Sequence, residues 1–263
     1  MVQVLSLANQ KGGVGKTTTS VNLAASLAAT RRKVLLIDLD PQGNATMGVG
    51  VDKHALEQTF CDVLLSGLDA HSCVLHLEKI GIDLLPSNAD LTAAEVELMR
   101  SNNAENRLKD VIASIKNDYD YVLIDCPPAL NMLTLNALVA SDGVIIPMQC
   151  EYYALEGLTA LMDTINQVRA SVNPHLQVEG LLRTMFDPRN TLAKDVSDQL
   201  LEHFGEKVYR TIVPRNVRLA EAPSYGLPAL LYEKTSTGAL AYLALAGEML
   251  RRKSAEPQAR AVS

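Results

Sequence analysis

Lys11-Gly12-Gly13-Val14-Gly15-Lys16-Thr17-Thr18 gathers three glycines, two lysines and two hydroxyls into eight residues, directly after an apolar run and directly before a helical pattern. Glycines let the backbone curl until successive N–H groups point inward, and the following helix adds its positive N-terminal end, so the segment can cradle a phosphate chain. The ligand implied is ATP with Mg²⁺: Lys16 reaches the β- and γ-phosphates and the Thr17 hydroxyl ligates the metal. The usual spacing G-x-x-x-x-G-K-[ST] needs glycine at position 10, where this chain has Gln10. A second lysine, Lys11, stands five residues before Lys16 instead.

Carboxylates supply the rest of a phosphoryl-transfer site. Leu36-Ile37-Asp38-Leu39-Asp40 is an apolar run ending in two acids, and strand alternation puts both on one side if the strand continues through them. A carboxylate there can orient an attacking water or hold the metal's water shell; either could instead cap the following turn. Tyr121-Val122-Leu123-Ile124-Asp125 is a second apolar run ending in an acid, with Pro127 and Pro128 stiffening the loop after it. Asp125 would contact Mg²⁺ directly or through water, and Cys126 reads as packing.

The elements that must position these groups are legible as a repeating pattern. Continuously apolar runs at 2–8, 33–39, 82–86, 121–126, 143–148, 178–185 and 208–213 read as strands covered on both faces. Helical segments are expected at 15–29, 92–100, 106–116, 130–140, 154–170, 192–204 and 237–252, with Thr92 and Glu95 in the form of a capping box. The alternation implies an α/β fold: a single doubly wound, mainly parallel sheet with helices on both faces. No linker or repeat divides the chain, so residues 1–253 form one domain and 254–263 a frayed tail. The apolar segment 238–250 reads as a packed core helix.

Composition narrows the function further. With 263 residues and 48% apolar side chains, disorder and fibrous repeats are excluded. Aromatic content of 4% without Trp argues against recognition by stacking. The formal charge is −6, but it is uneven: 12 Lys/Arg against 21 Asp/Glu in residues 1–182, and 12 against 9 in 183–263. Any polyanion would meet the last third. Four cysteines without a CxxC pair, and an N-terminus unlike a signal peptide, read as a reduced cytoplasmic protein; no apolar stretch approaches the roughly 18 residues of a spanning helix. His71, Cys73 and His76 are close in sequence but lack further ligands at a recognisable spacing, and read as a loop and a helix face.

The paired lysines resemble the deviant phosphate loop of the MinD/ParA branch of P-loop ATPases. The resemblance to ParA/Soj chromosome-partitioning ATPases runs nearly the whole chain, through 147–157 (PMQCEYYALEG) and 212–224 (IVPRNVRLAEAPS). It implies that Lys11 reaches a partner subunit's phosphates in an ATP-bound homodimer, that Asp40 positions the hydrolytic water with Asp38 near the metal, and that Pro214 and Asn216 lie against the adenine. Residues 11–18 would hold the phosphates. It also marks Arg189 and Arg218 as contacts to DNA phosphates.

Arg210, Arg215 and Arg218 lie between 208 and 218 with no acid among them, while Arg183 and Lys194 lie upstream among a few acids. Distant acids are screened beyond a Debye length of about 8 Å, so local charge governs contact with double-stranded DNA, which would be sequence-independent. By the same resemblance, ATP closes a dimer that binds DNA on the nucleoid, and a ParB-type centromere-binding partner stimulates slow hydrolysis. Rival roles are a MinD-like membrane-cycling ATPase, for which 253–263 offers no amphipathic anchor, an amide ligase or iron–sulfur carrier, and an ATPase positioning another cargo.

Overall fold

The computed structural model describes residues 2–101 and 103–255. Eight strands form one sheet: β1 (Gln3–Leu7), β2 (Val34–Asp38), β3 (Leu75–Leu77), β4 (Ile82–Leu85), β5 (Tyr121–Asp125), β6 (Gly143–Gln149), β7 (Gln177–Phe186) and β8 (Val208–Pro214), in the order β3-β4-β2-β5-β1-β6-β7-β8. Every neighbouring pair is parallel except β3 with β4. All seven expected strands are present. The eighth, β3, is a three-residue antiparallel edge too short to carry a pattern of its own.

The helices are α1 (Lys16–Ala29), α2 (Asn44–Gly48), α3 (Phe60–Ser66), α4 (Ala70–Cys73), α5 (Leu91–Leu98), α6 (Arg107–Ile115), α7 (Met132–Ala140), α8 (Ala154–Ser171), α9 (Thr191–Phe204), α10 (Val217–Glu221), α11 (Ala229–Tyr232) and α12 (Thr237–Ala255). Strand alternation divides the apolar side chains between two cores. Val4, Leu35 and Ile37 pack under α3 to α9, while Leu5, Leu7, Val34 and Leu36 pack under α1, α2, α11 and α12. Each such Leu or Ile, at or near zero exposure, adds about 1.5–3 kcal/mol relative to an exposed position.

Several local expectations are corrected. Thr92 and Glu95 form no capping box: α5 begins at Leu91, and its cap residue Asp90 makes no side-chain cap bond. The box lies at Thr59, whose side chain accepts from Cys61 N while Asp62 accepts from Thr59 N. Helix α12 packs in the core as expected but is not buried all round: Ala239, Tyr242, Leu245 and Met249 are buried, whereas Leu240 is 52% exposed. It also buries Glu248, whose carboxylate accepts from Arg210 N, Thr211 N and the Thr211 hydroxyl on β8 and from Arg252. The helix continues through Ser254 to Ala255, while the rest of the expected tail, 256–263, lies outside the described residues. His71 bridges Asp69 and Asp118, His76 sits in β3 bonded to Asp83, and Cys73 is buried in the core.

Candidate phosphate-binding site

The carboxyl ends of β1, β2 and β5 lie side by side, so the three motifs meet at one edge of the sheet. After β1, Asn9 fixes the loop entrance by donating to Pro147 O (2.8 Å) and accepting from Lys11 N (2.9 Å). Gly13 (φ 74°) and Gly15 (φ 89°) take the left-handed conformation that a side chain resists. Gly15 is also the N-cap of α1 and offers no side-chain cap, so the first-turn N–H groups are left for an anion. The loop's far wall is held by Thr184 at the end of β7, whose hydroxyl donates to Val14 O (2.8 Å).

Lys16 is 7% exposed, and its ammonium donates to Lys11 O at 3.3 Å. Burial pulls its pKa down, with Asp125 the largest opposing influence. The Thr17 hydroxyl donates to one oxygen of Asp125 (2.8 Å) and the Ser20 hydroxyl, one turn later on α1, to the other (2.7 Å). Asp125 and Asp38 are register partners on β5 and β2. Burial raises the pKa of both, and the neighbouring Asp38 charge raises Asp125 further.

The two acids after β2 do different work, because the strand ends at Asp38 and its alternation does not carry to Asp40. Asp38 is fully buried at the end of β2, beside its register partner Asp125, and its oxygens accept from Thr46 N, the Thr46 hydroxyl and Asp40 N, which ties it to the start of α2. Asp40 faces the cleft, with one oxygen accepting from Gln42 N and its carbonyl from the Ser87 hydroxyl. Cys126 is fully buried and its thiol pKa is raised by burial.

The phosphate-loop glycines, Lys16, Thr17, Thr184 and Asp40 border a cleft of about 500 Å³ that runs from the phosphate loop past Pro128 to Val213, Pro214 and Asn216. Its dimensions and its gradient from charged to apolar walls suit a nucleotide. Asn216 lines this wall with its side chain already engaged, capping α10 through Arg218 N and Leu219 N and donating to Thr237. Lys11, at the start of the phosphate loop, is ion-paired with Glu151 of its own chain, just beyond β6.

The arginines expected to face DNA separate. Arg183 is buried and donates to Ser197 and Tyr209 O, so it leaves the basic face. Arg215 lines the cleft itself. Arg189 and Arg218 are exposed but paired, with Asp187 and Glu221 respectively. Sequence reading missed Ser20, Thr184 and Glu151. Ser20 had a signal, the i+3 spacing from Thr17 on a helix; the other two sit at strand ends that only the sheet order brings to the loop.

A family model described as an AAA domain matches residues 2–178. The chromosome partitioning protein ParA of Caulobacter vibrioides is 48% identical over 254 residues, covering 96% of this chain and 95% of that protein. The sporulation initiation inhibitor protein Soj of Bacillus subtilis is 49% identical over 249 residues, covering 95% and 98%. Among solved structures, cobyrinic acid a,c-diamide synthase from Mycobacterium smegmatis, with bound ATP analogue and magnesium, aligns with a TM-score of 0.85 at 37% identity over 97% of each chain. Close to half of all residues are shared along almost the full length of both partitioning proteins, well beyond the phosphate loop, and on that ground this chain belongs to the ParA/Soj family of chromosome-partitioning ATPases.

Proposed function

We propose that the chain is an ATPase whose ATP-bound homodimer binds double-stranded DNA without sequence preference and lets go on hydrolysis, serving chromosome or plasmid partitioning with a ParB-type partner. The observation that carries this reading is the convergence of Lys16, Thr17 and Asp40 on one nucleotide-sized cleft, with the buried Asp125 bonded to Thr17 behind it and Lys11 next to the lining residue Gly12. Residues 1–253 act as one ATPase domain on the nucleoid.

Magnesium fits the residues present, because the Thr17 hydroxyl and one oxygen of Asp125 are already within hydrogen-bond distance of each other, and Asp125 lies close enough to the buried Lys16 to act on its charge. When bound, the ion would neutralise charge on the β- and γ-phosphates. The loop amides of 12–18 and Lys16 orient the triphosphate, and Pro214 packs at the base end of the cleft. Asp40 holds the water that attacks the γ-phosphorus. Lys11 leaves Glu151 and bridges to the partner's phosphates, joining two basic faces into one DNA footprint whose contacts add. Turnover is slow because the phosphate-loop and carboxylate motifs, 11–18, 36–40 and 121–128, contain no arginine to stabilise the transferring phosphoryl group.

Greater identity to the partitioning proteins than to the synthase favours this role over amide ligation. DNA co-sedimentation with ADP, ATP and a non-hydrolysable analogue across a salt series tests it. Retention is expected only with the two triphosphates and falls steeply with salt; equal retention with ADP would sink the proposal. Lys16→Ala should lose nucleotide binding, while Asp40→Ala keeps ATP and stays on DNA as a dimer. Rapid ATP turnover by the Asp40 variant would overturn its role.

A further inference from the structure

Behind the phosphate loop, α1 buries the hydroxyls of Thr19, Ser20 and Ser26 almost completely. They do not share a role. Ser26 Oγ has no hydrogen-bond partner, and the Thr19 hydroxyl meets that of Tyr242 on α12 at 3.0 Å. Ser20 alone reaches a carboxylate. A serine inside a helix ordinarily returns its proton to the carbonyl four residues back, and Ser20 has that option, with Lys16 O at 3.0 Å. Its contact to Asp125 Oδ1 is shorter, 2.7 Å. A hydroxyl has one proton and a carboxylate is the stronger acceptor, so the bond to Asp125 takes it.

Asp125 ends β5 between Leu7 of β1 and Asp38 of β2. Neither neighbour holds its side chain: Leu7 is apolar, and the oxygens of Asp38 are engaged by Thr46 and Asp40 N. The Lys16 ammonium donates to Lys11 O instead. Among the described residues, the donors bonded to the Asp125 carboxylate are the hydroxyls of Thr17 on Oδ2 and Ser20 on Oδ1. These two residues stand three apart on one face of α1, so they grip both oxygens from a single rigid element. Together they fix a carboxylate torsion that is otherwise broad. With Oδ2 held in place, Thr17 donates its one proton there, and the lone pairs of its hydroxyl stay available to a cation.

We propose that Ser20 is a positioning residue for the magnesium site: it sets the rotation of Asp125, and through Asp125 the orientation of the Thr17 hydroxyl. Ser20 itself does not line the cleft, whereas Thr17 does. The inference rests on the nucleotide-binding reading above and deepens it by separating metal affinity from phosphate affinity. Loop amides and Lys16 hold phosphate without help from Ser20; the metal depends on it.

The test uses the full chain and reads binding, with Mn²⁺ as the probe because it takes the same oxygen ligands as Mg²⁺. ADP affinity is measured by calorimetry in EDTA, and Mn²⁺ uptake by the ADP-saturated protein is followed as loss of the free ion's paramagnetic resonance signal. Ser20→Ala is expected to raise the Mn²⁺ concentration at half-saturation about tenfold, the scale on which groups behind a metal ligand act. Its ADP affinity in EDTA should match wild type. Ser26→Ala removes an unpartnered hydroxyl from the same helix and should leave both quantities unchanged. In an Asp125→Asn background, Ser20→Ala should have no further effect on Mn²⁺ uptake.

Mn²⁺ uptake by Ser20→Ala equal to wild type would overturn the assignment. So would an equal loss of ADP affinity in EDTA, which would mean that the variant damages α1 as a whole, or a full effect that persists in the Asp125→Asn background. In each of these cases wild-type protein still binds ADP, and the functional reading stands. Wild-type protein that binds neither ADP nor Mn²⁺ with ADP defeats that reading and this inference together.

Discussion

Asp125 accepts two hydroxyls and is fully buried beside Asp38. Burial raises its pKa and the Asp38 charge adds to that shift. An acid whose folded pKa lies above its unfolded value contributes stability below the unfolded value and loses it as pH rises through the folded one. The ligand-free protein should accordingly be less stable at pH 8 than near pH 5.5 on account of this pair. Asp125→Asn removes one buried charge and should raise the ligand-free melting temperature at pH 8 by several degrees, about 1–3 kcal/mol. The gap to wild type should close toward pH 5. His71 and His76, whose carboxylate neighbours raise their pKa values, give a dependence of the same sign. The difference between variant and wild type by calorimetry is therefore the quantity to read, and a gap independent of pH would contradict the assignment. Lys16, Thr17, Asp40 and Asp125 could be named from sequence because each sits in a contiguous motif. The division of labour between Asp38 and Asp40 could not, since it depends on where β2 stops and on Thr46, eight residues downstream of Asp38.

Among the elements, α12 depends on one polar residue in an otherwise apolar face. Glu248 satisfies two backbone N–H groups of β8, an exposed-edge strand, and pairs with Arg252. Burial pushes its pKa up, but those hydrogen bonds outweigh burial and leave it lowered. Glu248→Ala should cost about 2–4 kcal/mol, read as a lower urea midpoint, because it orphans both N–H groups; Glu248→Gln should fall between it and wild type. Equal stability of the alanine variant would show that β8 does not need the clamp. The seven long strands were legible because burial on both faces makes each a continuous apolar run. The short helices α2, α3, α4, α10 and α11 were not, since four to seven residues hold too little of a 3.6-residue period, and they form where the loops pack against the cores. Thr92 misled for a related reason: a capping spacing says nothing about which preceding turn the helix grows from.

At the scale of the whole molecule, charge is arranged against its sum. The chain carries −6, yet Arg189, Arg210, Arg215 and Arg218 are all exposed near the β7 and β8 end of the sheet. Arg218→Glu should weaken DNA binding about tenfold at low salt and leave ATP affinity unchanged, because its side chain lies outside the cleft. Unchanged DNA retention in low-salt filter binding would remove this face from the footprint. The basic stretch was visible in sequence, but its internal pairing was not. Nor was the burial of Arg183, which follows from β7 being an inner strand. Among the described residues no helix is long and apolar enough to cross a membrane.

The ion pair between Lys11 and Glu151 bears on encounters between subunits. With its lysine neutralised at home, one chain should meet another across a rim of muted field and attract it only weakly. Added salt loosens that grip by screening it. Moderate ionic strength should then ease self-association while it erodes adhesion to DNA, and sedimentation velocity beside anisotropy would display the two opposing trends in a single titration.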